Sequence, residues 1–367
     1  MGLLPLVATD ATLHFFAARI FMDLDMKWDR VSLDDVISTG SVYMTDVQLL
    51  AIRFILMFFV LGIVYHMVSD KNGFKVRLAN PAGELITFRQ YGWQRITAFT
   101  TWCWTLQGVY FALVSGLTIL KNWFPQVLDN SSFCKDNMWL IVRIVWSMYE
   151  VSFAMAFMVT VVVTFVLIPV AEKKGLPHDN FYVFFTICMH NFNTAFMVFE
   201  LFFNRMPIAL EHTILCFYWG YAYVFFSRYW YKMHGYFYYF FLDITKPLAP
   251  VFLVGLNGIY SLFMVMGHYI DKLVTAKPGG ETYKETVMLI IFTLFVMKWP
   301  PADKWHIMTD DFYNIINGRD RQDPTSKGNK ERKDESEQPH VNPLNTTYDD
   351  AMVSLRRSSR IKKNVNS

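Results

Sequence analysis

Cysteine is scarce in this chain: four residues in 367, with Cys103, Cys188 and Cys216 inside long apolar runs and only Cys134 in a polar connection. That leaves no disulfide framework and no ligand spacing for structural zinc. Charge is scarce too. Asp, Glu, Lys and Arg make up 18% of the residues and nearly cancel, to a formal +3, and no basic stripe with interleaved aromatics crosses the apolar region, so no nucleic-acid partner is expected. A phosphate-cradling glycine loop and a Gly-x-Ser-x-Gly elbow are both missing, which sets aside nucleotide-binding folds and ordinary serine hydrolases. No two histidines stand three or four residues apart, so neither a metal nor a cofactor is expected. The short apolar run 3–6 has no basic residue before it and no small-residue cleavage pattern behind it, which predicts targeting by the first spanning helix rather than a cleaved signal.

What the chain has in abundance is apolar and aromatic surface: 53% hydrophobic and 17% aromatic residues, with a mean hydropathy of +0.24. This predicts an all-α fold, a polytopic transmembrane helical bundle. A hydrocarbon layer of about 30 Å takes about 20 helical residues, and runs of that order fall at 47–68, 96–120, 138–170, 181–203, 214–231 and 250–269. The run 287–299 is apolar but short, so six or seven spans are expected. The organisation reads as an N-terminal segment, 1–45, with an amphipathic interfacial stretch at 13–24; a membrane bundle, 46–300; and a polar tail, 301–367, too poor in apolar residues to offset its ordering entropy from about residue 318 onward. The third run is longer than a bilayer needs, and its first part, with Arg143 and Glu150, reads as interfacial. An aromatic belt at 236–241 points to a membrane boundary. A glycosylation sequon, Asn130-Ser131-Ser132, lies in the connection after the second run. Basic residues on the two sides of the bundle nearly balance, so charge sets no topology.

Polar groups inside membrane runs mark functional sites by default. The run 181–203 carries Thr186, His190, Asn193 and Thr194, which share one face of a regular helix. The second run opens with Arg95-Ile-Thr-Ala-Phe-Thr-Thr-Trp-Cys-Trp-Thr-Leu-Gln107, rich in hydroxyls, with Thr100, Cys103, Trp104 and Gln107 on one face. Both stretches also have a structural explanation. Threonine in a membrane helix bonds back to a carbonyl one turn earlier or packs as a small residue, and a lone buried histidine is more often a packing residue than a base. The chemical alternative is a hydroxyl activated by an imidazole, a minimal acyl-transfer pair.

Thr100 ahead of Leu106-Gln-Gly-Val-Tyr-Phe111, Met189-His190 followed by Glu200, and Trp219-Gly-Tyr221 with Trp230, Gly235 and an aromatic run ending at Leu242 together resemble the androgen-induced, transmembrane threonine hydrolases. The Thr-x-Trp of Thr100 to Trp102 is similar to the rolling stone branch of the same superfamily. The resemblance covers about 90–269. It implies a multi-pass membrane hydrolase of fatty-acid esters of hydroxy fatty acids, with Thr100 as nucleophile, His190 as general base and Thr101 as a possible substitute for Thr100. Partners would be membrane lipids and the lipid-ester substrate, in the endoplasmic reticulum, other endomembranes or the plasma membrane. To orient the imidazole, Asn193, Glu150 and Gln107 are the candidates in that order. Cys103, where some members carry an acid, departs from the pattern. The rolling stone branch implies the alternative of a non-enzymatic protein for cell-surface interaction or fusion.

Overall fold

The computed structural model describes residues 26–41, 43–79, 85–173, 175, 178–275, 287–288, 290–291, 294 and 300–316. Among them, helices dominate. A short α1, Leu33–Ile37, is followed by α2, Asp46–Ser69. Next comes an antiparallel hairpin of β1, Phe74–Ala79, and β2, Leu85–Gln90, paired from Phe74 opposite Gln90 to Ala79 opposite Leu85. Helix α3 runs Phe99–Trp123 and α4 Pro125–Asn130. Helix α5 runs Ser132–Val162, loosens into a π turn at Val163–Leu167 and ends in Ile168–Lys173. Helix α6 is likewise interrupted: Phe184–Ile187, a π turn at Cys188–Phe192, then Asn193–Phe203. Helices α7, Thr213–His234, α8, Ala249–Thr275, and α9, Trp305–Ile316, complete it.

Local chemistry explains the boundaries. Thr45 and Gln48 form a reciprocal capping box, side chain to amide in both directions at 3.2 and 2.9 Å, so α2 starts at Asp46. Ser32 and Asp35 do the same for α1. Helix α7 stops where Gly235 takes a left-handed conformation, φ 79°. Helices α2 and α3 can approach closely because position 108 is glycine: a Cβ there would lie 2.6 Å from Leu61 Cδ2.

Among the described residues four helices are long and apolar enough to cross a membrane: Asp46–Ser69, Phe99–Trp123, Asp136–Lys173 and Ala249–Leu273. Their outer faces carry large apolar side chains, such as Phe58, 67% exposed, and Leu262, 61% exposed, as lipid contact demands. At one end of the bundle lie the hairpin, the Asp179–Tyr182 turn and α9: Asn180 Nδ2 donates to the Lys75 carbonyl at 3.3 Å, Lys304 pairs with Asp179 at 2.8 Å, and the Phe184 amide donates to Asp311 Oδ2 at 2.9 Å. At the opposite end, Thr39 bridges to Asn204, and the Met26 carbonyl meets His212.

Several expectations need correction. The connection after the first run contains the β-hairpin, so the fold is helical but not purely so. The run 181–203 is not one regular helix. It starts as helix at Phe184 and carries a π turn, whose extra residue rotates the remainder of the helix, so the polar residues do not share one face. The first part of the third run is no separate interfacial piece: α5 is continuous from Ser132, and Glu150 is fully buried. The aromatic segment after α7 folds onto the bundle, with Tyr236, Phe237, Phe241 and Leu242 buried and Phe240 exposed. The amphipathic stretch at 13–24, most of 287–299 and the tail from 318 lie outside the described residues.

Candidate functional site

The π turns of α5 and α6 stand at the same place in the bundle, and side chains explain the second of them. Asn193 Oδ1 accepts the amide of Thr194 at 2.7 Å. The His190 carbonyl, four residues before Thr194, receives the Thr160 hydroxyl from α5. The Asn193 amide closes the i→i+5 bond to the Cys188 carbonyl. Thr194 Oγ1 lies 2.7 Å from Thr160 Oγ1 and 3.1 Å from the Ala156 carbonyl. Gln107 Nε2 crosses from α3 to the Asn193 carbonyl at 3.2 Å. The loosened backbone is thus satisfied by neighbours, as a buried helix interruption requires. Single-turn π segments of this kind are frequent at functional sites.

Between the two π turns lies a cavity of about 180 Å³, lined by Val163 and Thr164 of α5, His190 and Asn191 of α6, and Pro300 and Pro301 ahead of α9, among others. Since one water needs about 10–15 Å³ of such space, the cavity has room for several. His190 is 7% exposed, and its Nδ1 has no hydrogen-bond partner among the described residues. The Phe181 ring lies beside it, with centroids 6.3 Å apart.

Thr100 opens on a different cavity. This one is narrow, about 40 Å³, and almost wholly apolar, walled by Phe99, Val163, Tyr223, Tyr239, Leu256 and Tyr260 among others. Thr100 is 9% exposed. The two cavities share Val163; no hydrogen bond joins Thr100 to His190 among the described residues. Thr101 turns away, with its hydroxyl 3.4 Å from the Arg95 carbonyl and 3.9 Å from Met189 Sδ.

None of the three candidate orienters reaches the imidazole. Asn193 is committed to Thr194 and α5, Gln107 to the Asn193 carbonyl. Glu150 accepts the Ala209 amide at 2.6 Å and pairs with His212 Nδ1. His212 in turn donates through Nε2 to the Met26 carbonyl at 2.9 Å, with Trp28 stacked on the ring at a centroid distance of 4.2 Å. Burial alone would lower the His212 pKa, but the Glu150 carboxylate outweighs it and the ring is held above the usual histidine range. This cluster clamps the N-terminal segment to the bundle.

A second buried charge cluster is not legible in the sequence. Arg53 and Glu200, both 0% exposed, form a two-bond pair at 2.9 and 2.9 Å; Tyr110 donates to Glu200 Oε2 at 2.8 Å, Asn204 at 3.3 Å, and Arg53 Nη1 reaches the Val36 carbonyl at 3.1 Å. Partners 147 residues apart leave no local signal. Thr160, hidden in the apolar run of α5, was missed for the same reason. Among the described residues no three His, Cys, Asp or Glu side chains gather as metal ligands.

No family profile, no curated protein and no solved structure matches the chain.

Proposed function

We propose that the protein is a multi-pass membrane hydrolase of lipid esters, with α6 and α7 crossing the bilayer beside the four longer helices and 287–299 as a possible seventh crossing, in the endomembrane system or the plasma membrane. The observation that carries this reading is that a dry cavity bearing Thr100 and a less apolar one bearing His190, whose Nδ1 has no hydrogen-bond partner among the described residues, share Val163 in their walls. An ester has the same division: acyl chains that prefer the apolar side and a bond whose cleavage needs water.

In the reaction, Thr100 Oγ attacks the ester carbonyl while His190 takes its proton. The ester C–O bond then breaks, the proton passes to the departing alkoxide, and an acyl-threonine remains. A water from the polar cavity, deprotonated by His190, cleaves that intermediate and restores the threonine. A general base must come within about 3 Å of its hydroxyl, or one water away, so substrate has to displace the wall at Val163. The π turn that holds Val163 is the place where α5 yields most readily, because its backbone bonds already depart from the regular ladder.

The test is labelling of the full-length protein in membranes by a long-chain alkyl fluorophosphonate, with ester hydrolysis followed in parallel. Thr100→Ala should lose both signals and His190→Ala nearly all turnover, at unchanged expression; turnover that persists in either variant sinks the reading. The separation of the two side chains into different cavities favours the second reading, a non-enzymatic membrane protein in cell-surface interaction or fusion, which predicts no labelling of the parent protein.

A further inference from the structure

The sequon Asn130-Ser131-Ser132 has no part in the hydrolase reading. It sits where α4 gives way to α5. Asn130 and Ser132 are exposed, while Ser131 between them is half-buried and accepts the Cys134 amide at 3.2 Å, capping α5. The amide and the hydroxyl two residues on, which the motif pairs, are therefore both on the surface. They also stand outside the hydrocarbon layer. Trp123 and Phe124 at the end of α3, and Trp139 two turns into α5, are exposed, and tryptophan favours the headgroup level. Two helical turns back from Trp139, at Ser132, is about 10 Å farther out.

A glycan is attached on one side of a membrane only, and the connections between spans carry too little charge bias to say which. The fold supplies what they lack. Lys121 Nζ lies 3.7 Å from Asp34 Oδ1, which puts the corner between α3 and α4 beside α1, at the end of the bundle where Thr39 meets Asn204. Helix α8 starts after Tyr238, which bonds Gln90 of the hairpin, and runs to that same α4 end, where His268 Nδ1 donates to the Ile208 carbonyl at 2.6 Å. Yet α9 is back at the hairpin end, held by Lys304 on Asp179 at 2.8 Å and by Phe312 against Phe184 at a centroid distance of 4.7 Å. The chain beyond Ile316 therefore leaves from the end opposite Asn130. This adds Lys304, Arg319 and Arg321, all within about 20 residues of Pro300, and four further basic residues up to Lys333 to the hairpin side, against Lys27 and Arg30 on the Asn130 side. Acidic residues count for little in this bias, and the excess of Lys and Arg marks the cytosolic side.

We propose that Asn130 is an N-glycosylation site and that the α4 end of the bundle faces the lumen or the cell exterior, with the hairpin, α9 and the polar tail in the cytosol. The donor is an oligosaccharide carried on a polyisoprenyl pyrophosphate, brought by a membrane-bound transferase that reads the Ser132 hydroxyl beside the amide. Asn130 Nδ2 forms a bond to C1 of the first sugar, the bond from C1 to the pyrophosphate oxygen breaks with its electron pair leaving on the pyrophosphate, and the amide gives up one proton. Nothing is oxidised or reduced. A bulky, solubilising group at this place would keep the α4 end in water whatever the chemistry of the bundle interior.

This inference rests on the membrane placement and not on the hydrolase chemistry, so neither outcome of the fluorophosphonate test touches it. The full-length protein is expressed in eukaryotic cells and its gel mobility compared before and after peptide N-glycosidase. The tail holds a second sequon, Asn345-Thr346-Thr347, which this orientation leaves in the cytosol and which serves as the internal control. The parent should lose the mass of one glycan on digestion. Asn130→Gln and Ser132→Ala should each run with the digested parent, Ser132→Thr should keep the glycan, and Asn345→Gln should match the parent. The mobility is read on the denatured chain, so a variant that folds poorly still answers. In sealed microsomes, added protease should remove an epitope fused after Ser367 while the glycan survives. A parent whose mobility digestion leaves unchanged overturns the site. A glycan lost in Asn345→Gln and kept in Asn130→Gln, or an epitope protected from the protease, overturns the orientation and the proposal with it.

Discussion

The Arg53–Glu200 cluster and the His190 surroundings are both polar, both buried in a mostly apolar bundle, and opposite in how their bonds are met. In the first, both guanidinium bonds to the carboxylate are made, and Tyr110 and Asn204 add two more. In the second, among the described residues the imidazole Nδ1 has no partner, Gln107 Oε1 has none either, and space remains beside the ring. A charge pair taken out of water is tolerated only when its geometry is excellent and its spare lone pairs are used. The Arg53 cluster meets that condition and ties α2, α3 and α6 together; the surroundings of His190 leave hydrogen-bonding capacity unspent.

The contrast can be broken from either side. The largest effect should come from Glu200→Ala, which strands a buried guanidinium: a loss of about 3–5 kcal/mol, read as a lower unfolding midpoint in detergent, with the double variant Arg53→Met, Glu200→Leu recovering most of it. If the single and double variants unfold alike, the pair is not what holds these helices. Thr160→Val should cost about 1–3 kcal/mol, because it leaves the His190 carbonyl of the π turn without its donor; a neutral result would mean that the backbone there closes without α5.

Smaller again is a pH effect at the opposite end of the bundle. Because the folded His212 is raised above its unfolded value, its contribution to stability is complete below about pH 6.5 and fades as pH rises through the folded value. Thermal unfolding followed on the alkaline side should show this decline in the parent and a flatter curve in His212→Asn; parallel curves would place the sensitivity elsewhere. The smallest change is expected at the candidate base itself. His190→Leu should unfold within about 1 kcal/mol of the parent, since it removes a group whose ring nitrogen makes no bond, while turnover disappears.

The helices that hydropathy marks are there, because apolar length is a local property: α2, α3, α5 and α8 match the runs within a few residues. What the pattern could not carry are features decided by partners far along the chain. The β-hairpin hides in a basic connection whose alternation is short. The π turn at Cys188–Phe192 depends on Asn193 capturing its neighbour's amide and on Thr160 reaching across from α5, and neither shows as periodicity. Glu150 and Glu200, read from position alone, have no evident cation; His212 and Arg53 become theirs only when the chain is folded. Thr100 and His190 were legible as polar residues in apolar runs, yet their assignment to separate cavities was not, since a regular helix would have kept His190, Asn193 and Thr194 on one face.

Pro300 and Pro301 form part of the wall of the His190 cavity, and the segment after them is fastened by Lys304 to Asp179 and by Asp311 to the start of α6. Part of the wall around the imidazole therefore belongs to a stretch beyond α8, anchored by side chains that are only partly buried. Ionic strength, an antibody or a binding protein acting on that outer stretch would be felt some way inside, at the imidazole.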